Sequence, residues 1–215
     1  MNKINYQKEL EKLININVSK NFRPTLLLHV CCAVCASYVL EYLTEFFDIT
    51  IAYYNPNITN ASEYDYRYSE LKRLVSTMPL KSKVSFIDTE YKPGEFLELI
   101  KGHEKDKEGG ARCSLCFRHR LLYTAKLAQD GKFDYFATTL TISPLKNAEV
   151  INFIGLKISD TLTHTKYLAT DFKKRNGYKR SIELSKEYHL YRQNYCGCEF
   201  SRNTCSIEQA GNIPD

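Results

Sequence analysis

Seven of the eight cysteines in this chain fall into three close groups. Cys31, Cys32 and Cys35 stand in "CCAVC", Cys113 and Cys116 in "CSLC", and Cys196 and Cys198 in "CGC"; Cys205 is alone in a polar tail. A Cys-x-x-Cys pair at a helix start puts both thiols on one face, where the helix N-terminus lowers their pKa and favours thiolate ligation. One such pair is weak evidence, since it recurs in zinc knuckles, in redox pairs and by chance, and a single buried cysteine is commonly a small hydrophobe. Three groups together argue for metal or redox chemistry, while Cys205 keeps the bland reading.

A structural zinc site closes with four ligands, commonly two Cys-x-x-Cys pairs or one pair with two histidines. The five histidines here are scattered, and seven thiols exceed what one zinc needs. An iron–sulfur cluster takes four thiolates, often from separate loops, and leaves thiols for a second task. Cys196 and Cys198 either close a small, strained disulfide of the reducible kind or bind a second metal with Cys35. Both alternatives have the site handle electrons.

The elements that position these thiols read as strands alternating with helices. "TLLLHVCC" is a continuous apolar run and "ASYVLEYLTEFF" has helical spacing. "DITIAYYNPN" is a second strand ended by an Asn-Pro-Asn turn, and "SEYDYRYSELKRLVSTM" is a helix with Ser62 as its expected N-cap. "KVSFIDTEY" follows as strand, "PGEFLELIKGH" as a short helix opened by Pro93, and "CSLCFRHRLLYTAKLAQDG" as a helix capped by Gly131. "FDYFATTLTIS" reads as strand, "NAEVINFIGLKISDTL" as helix, "TKYLATDF" as strand and "YKRSIELSKEYHLYRQ" as the last helix. The pattern predicts an α/β fold: a single-domain, three-layer, mostly parallel Rossmann-like sheet with helices on both faces. The expected division is an N-terminal helical extension over 1–24, a catalytic α/β metal-binding domain over 25–200 and a polar tail over 201–215. In open α/β sheets the site lies beyond the carboxyl ends of the strands. Cys31, Cys32 and Cys35 fall at the end of the first strand, Asn55 and Asn57 at the end of the second, and residues 138–146 at the end of the fourth, so three signals converge on one rim.

The first residues show no secretory signal and no apolar run approaches the length of a membrane span, which predicts a cytoplasmic chain with no membrane partner. Thiols stay reduced there, which argues against a disulfide framework. Thirty Lys and Arg against 25 Asp and Glu leave a net +5, compatible with an RNA partner and equally with an ordinary solvated enzyme. Sixteen tyrosines and no tryptophan supply core filler and, where exposed, stacking platforms for bases.

"LLLHVCCAVC", "YYNPNI", "EYDYR", "RCSLC", "TTLTISPLKN" and "YRQNYCGCEFS", in this order and spacing, resemble the QueH family of epoxyqueuosine reductases over about residues 25–201. The resemblance implies reduction of the epoxide of epoxyqueuosine, at the wobble position of a tRNA anticodon, to queuosine, the last step of queuosine biosynthesis. It implies a 4Fe-4S cluster on Cys31, Cys32, Cys113 and Cys116, a redox-active pair at Cys196 and Cys198, and an external electron donor. Some family members carry Asp at the position of Cys35, beside a second mononuclear iron; cysteine there is also an anionic ligand.

Removing the epoxide oxygen as water takes two electrons and two protons; a thiol, Tyr195 or water could deliver the protons. Arg112, Arg118 and Arg120 flank "CSLC", and "DFKKRNGYKR" carries five cations that suit phosphates or a solvated face. Asn55 and Asn57 are candidates to hydrogen-bond the base or its ring substituent, or simply build a turn. Lys146, in the polar loop before a helix, suits an anion. His29, inside the first strand, reads as a core histidine. Two alternatives stand beside the reductase: a zinc-stabilised RNA-binding module, and a nucleotide-using tRNA modification enzyme of the PP-loop type. The second is disfavoured because the first turn, "CCAVCAS", has no glycine to let the backbone approach a phosphate.

Overall fold

The structure, a computed structural model, describes residues 4–201; Cys205 and the rest of the tail lie outside the described residues. Five strands, β1 (Thr25–His29), β2 (Asp48–Ala52), β3 (Ser85–Ile87), β4 (Tyr135–Thr138) and β5 (Lys166–Tyr167), form one parallel sheet in the order β3-β2-β1-β4-β5. The helices are α1 (Tyr6–Ser19), α2 (Ala33–Leu43), α3 (Ala61–Thr77), α4 (Pro93–Leu99), α5 (Ala111–Asp130), α6 (Ala148–Ser159) and α7 (Gly177–Glu187).

Central position explains the composition of β1. Leu26 and Leu28 point into a core layer shared with α1, α2, α3 and α7, while Leu27 points the other way, into a layer built by α5 and α6. Adjacent side chains of a strand face opposite sides, so a strand covered on both faces reads as a continuous apolar run. α1 contributes Leu10 and Ile14 to the first of these layers. On the other side Gly155 lets α6 settle on the sheet, because a Cβ there would stand 2.4 Å from the Tyr167 ring.

His29 pairs with Ala52 on one side and Thr138 on the other, so the carboxyl ends of β1, β2 and β4 finish level. Its imidazole is fully buried and joins them: Nδ1 lies 2.8 Å from Thr138 Oγ1 and Nε2 lies 3.1 Å from the Tyr54 carbonyl. A carbonyl only accepts, so Nε2 carries the hydrogen. Burial pushes the imidazole down to about 3, and His29 is the core histidine expected of it.

Several boundaries differ from the sequence expectation. β4 stops at Thr138, whose Oγ1 accepts from the Leu140 N–H at 3.1 Å and starts a single 3-10 turn, Thr139–Ile142. β5 is two residues long, at the sheet edge. The N-cap of α3 is Asn60, which receives the Glu63 N–H at 3.0 Å, and Ser62 donates to the same carboxamide oxygen. α7 ends at Glu187, six residues before the expected Gln193: His189 turns left-handed at φ 49° and the Leu190 N–H returns to the Ser185 carbonyl at 2.8 Å. That early stop frees the following segment to cross to the carboxyl rim of the sheet.

Candidate metal and redox centre

The turn after β1 brings three thiols together. Cys32 is the N-cap of α2, its Sγ receiving the Cys35 N–H at 3.4 Å. Cys31 Sγ lies 3.9 Å from Cys32 Sγ, and the sulfurs of Cys31, Cys32 and Cys35 all lie within 4.8 Å of one another. Thr139, on the 3-10 turn after β4, stands 3.5 Å from Cys31 Sγ. Three sulfurs at that spacing, on a turn that also carries a helix N-terminus, form a donor set suited to a thiophilic metal.

The other thiols face this group across a cavity of about 220 Å³, lined by Cys31, Cys35, Cys113, Cys116, Cys196 and Cys198. Cys113 and Cys116 occupy the first two turns of α5; Cys113 Sγ receives the Gly109 N–H at 3.2 Å. Cys116 and Cys198 share a small apolar cluster with Phe96 and Ile100, which ties "CSLC" to "CGC". Gly197, at φ 100°, makes the bend between Cys196 and Cys198.

Charge separates the thiols into unlike classes. Cys31 is held well below the usual thiol range, first by hydrogen bonds from Cys32 and Cys35, then by the Lys146 and Arg120 charges. Cys32 is pushed up to about 12 and Cys35 well above its usual value, because each serves Cys31 as hydrogen-bond partner. Cys196 is likewise held well below the usual range, by a hydrogen bond from Cys198 and the Lys146 charge, while Cys198 is pushed far up. Burial raises Cys113, and raises Cys116 to about 11. Lys146 faces Cys196, Cys31 and Cys35; burial opposes its charge, yet the thiolates outweigh burial and its pKa is raised. One ammonium thus compensates negative charge in two separate thiol groups.

The polar residues expected at the substrate take distinct places. Asn57, Arg112, Lys146 and Tyr195 line the cavity. Asn55 stands behind it: its Nδ2 donates to the Val30 carbonyl at 2.9 Å, and its Oδ1 accepts from Arg120 Nη1 at 3.1 Å. The same Arg120 nitrogen donates to Asn57 Oδ1 at 2.8 Å, so the two asparagines do more than build a turn. Arg112 is committed to the loop before α5, donating to the carbonyls of His103 at 3.3 Å and Glu104 at 2.7 Å. Arg67 was missed in the sequence: it is 2% exposed, and donates to the Tyr195 and Cys196 carbonyls at 3.3 Å each. Its signal was available, since Arg67 falls in register with Tyr64, Leu71 and Leu74 on the buried stripe of α3, where a charge needs a reason.

No helix among the described residues is long and apolar enough to cross a membrane. A family model described as epoxyqueuosine reductase QueH matches residues 26–204. A Streptococcus pyogenes protein named epoxyqueuosine reductase QueH is 44% identical over 208 residues, 96% of this chain and 81% of that protein. Similar proteins of the same name occur in Staphylococcus epidermidis, 43% identical over 93% of this chain and 85% of the relative, and in Thermotoga maritima, 35% identical over 82% and 90%. The matched span begins inside β1 and runs beyond the CGC bend, so it takes in all three thiol groups that meet at the cavity, and the chain belongs to the epoxyqueuosine reductase QueH family.

Proposed function

We propose that this chain reduces the epoxide of epoxyqueuosine in tRNA to queuosine, working in the cytoplasm with electrons from an external donor. The observation that carries the reading is the convergence of three thiol groups, from three separate stretches of chain, on one cavity whose lysine faces two of them. The catalytic unit is the α/β metal-binding domain, residues 25–200, with the helical extension before it and the polar tail after it.

The donor set fits a thiolate-bound cluster: thiols from the turn after β1 and from the start of α5 border one cavity, with Lys146 and Arg120 offsetting the charge of Cys31. Cys31, Cys32, Cys113 and Cys116 would hold a 4Fe-4S cluster, and Cys35, within 4.8 Å of two of them, would serve a second mononuclear iron. When bound, such a cluster supplies one-electron transfer.

The chain's own residues account for the stoichiometry. Both C–O bonds of the epoxide break, a C=C bond forms between the same two carbons, and the oxygen leaves as water after taking up two protons. Oxidation of the Cys196–Cys198 pair to a disulfide supplies the two electrons and, from Cys198, one proton; the other comes from the Tyr195 hydroxyl, which water reprotonates, and the external donor restores the pair. Cys196, the more acidic thiol, is the nucleophilic member and Cys198 holds the proton. Asn57 and Arg112 line the cavity as polar partners for the modified base, Asn55 acts on it through Arg120, Lys146 offsets the negative charge of the opening epoxide, and the Tyr195 hydroxyl is a second proton source.

Anaerobically reconstituted protein, mixed with reductant and tRNA carrying epoxyqueuosine, should yield queuosine by mass spectrometry. Absence of product under strong reduction, or colourless protein holding stoichiometric zinc without iron and sulfide, would overturn the reading in favour of a zinc-stabilised RNA-binding module. The nucleotide-using alternative is disfavoured on geometry as well, since Cys32 Sγ already occupies the N-cap of α2 where a phosphate would sit.

A further inference from the structure

The CGC bend is held by side chains of two other elements. Arg67 lies beneath it on α3: Nε donates to Glu63 Oε1 at 2.7 Å, Nη1 to the Cys196 carbonyl and Nη2 to the Tyr195 carbonyl at 3.3 Å each, and the guanidinium sits 5.2 Å from the Tyr195 ring centroid. Glu63 in turn accepts from the Tyr191 hydroxyl at 3.2 Å. From the turn after β2, Asn57 Nδ2 donates to the same Cys196 carbonyl at 3.3 Å, while its Oδ1 is fixed by Arg120. The contact is close as well as polar: a Cβ on Gly197 would stand 2.6 Å from Ile58 Cγ1 and 3.2 Å from Arg67 Nη1.

Burying a guanidinium costs free energy that an apolar residue at this place on the helix would avoid, and a buried ion pair is weak evidence for stability. What Arg67 provides that Leu or Met would not is direction: two N–H groups aimed at consecutive carbonyls, which fix the orientation of the peptide units leading into Gly197. Thiols separated by one residue meet only in a narrow range of backbone conformations. In this one Cys196 and Cys198 line the same cavity and Ser201 bridges them, its Oγ 3.3 Å from Cys196 Sγ and donating to the Cys198 carbonyl at 2.7 Å.

We propose that Arg67 is a positioning residue for the Cys196–Cys198 pair, acting through the Tyr195 and Cys196 carbonyls to hold the Gly197 bend in the shape that lets the two thiols close on each other. The inference rests on the reading of that pair as redox-active. Its test needs neither tRNA nor turnover. Holoprotein is equilibrated under argon in buffers of set glutathione to glutathione disulfide ratio, in which the dithiol gives two electrons and two protons to glutathione disulfide and becomes the intramolecular disulfide. The oxidised fraction is read by alkylation and peptide mass spectrometry. Arg67→Met, similar in length but without donors, should need a ratio about tenfold more oxidising to reach half-oxidation, because effective concentration falls when orientation is lost. Arg67→Lys keeps the charge but not the paired donors, and should fall between Met and the parent; it also carries the test if Arg67→Met does not fold. Lys72→Met removes an exposed cation of the same helix that stands over the Tyr68 ring, and should leave the ratio unchanged. A folded Arg67→Met or Arg67→Lys protein with the parental ratio, or an equal shift in Lys72→Met, overturns the inference while the redox reading stands. If the parent forms no Cys196–Cys198 disulfide at any ratio, the redox reading falls and this inference with it.

Discussion

Among the described residues, Cys196 and Cys31 are the two thiols that the surroundings make acidic, and they lie in different groups facing one lysine. Their assignments differ, so their variants should differ in kind. Cys196→Ser should lose turnover at least about a hundredfold, the scale of losing a reacting group, yet keep the brown colour and parental iron content. Cys31→Ser should lose colour and iron. Absorbance and iron analysis of the two purified proteins decide the matter, and a colourless Cys196→Ser protein would move that residue into the cluster. The thiols were legible because cysteine is informative by type and spacing. Arg67 was not, because an arginine four residues from Glu63 on a helix also reads as an ordinary surface pair; only the register of its apolar neighbours marks it as buried. Asn55 was legible as polar and near the rim, but whether a side chain stands on the cavity wall or one layer behind depends on Arg120, which is 65 residues away.

Among the elements, the long ones and the strand-to-helix turns followed from periodicity and caps, and the errors came where a side chain overruled the local pattern. Thr138 is β-branched and suits a strand, yet its hydroxyl captures the Leu140 N–H and ends β4 there. The consequence is useful, since the 3-10 turn swings Thr139 onto Cys31. α7 ended early for a comparable reason, because His189 accepts a left-handed conformation that composition does not announce. A test at this scale lies at Gly155. Alanine is better than glycine in a helix by about 1 kcal/mol, but overpacking against Tyr167 costs about 1–3 kcal/mol. Gly155→Ala should therefore lower the urea midpoint, and a raised midpoint would show that the Tyr167 ring steps aside.

At the scale of the molecule, the sheet order places β1 beside β4, and the helices that follow these two strands, α2 and α6, pack on opposite faces, so the loops after the strands part and open a crevice at the carboxyl end. That crevice is where the cavity lies, and three distant stretches of chain deliver their thiols to it. Its mouth must also admit a nucleotide that belongs to a folded, polyanionic RNA. Binding of tRNA to this chain, net +5, should weaken steeply between 50 and 200 mM salt. A titration at several salt concentrations gives the slope, and a flat profile would mean that phosphates contribute little.

The side-to-side alternation of Leu26, Leu27 and Leu28 makes β1 the partition between two packed layers. Odd and even positions of this strand are addresses on its two sides. A substitution in β1 changes what is written at one address; a single inserted residue would exchange all of them, and turn the leucines meant for the α2 layer toward the α5 layer.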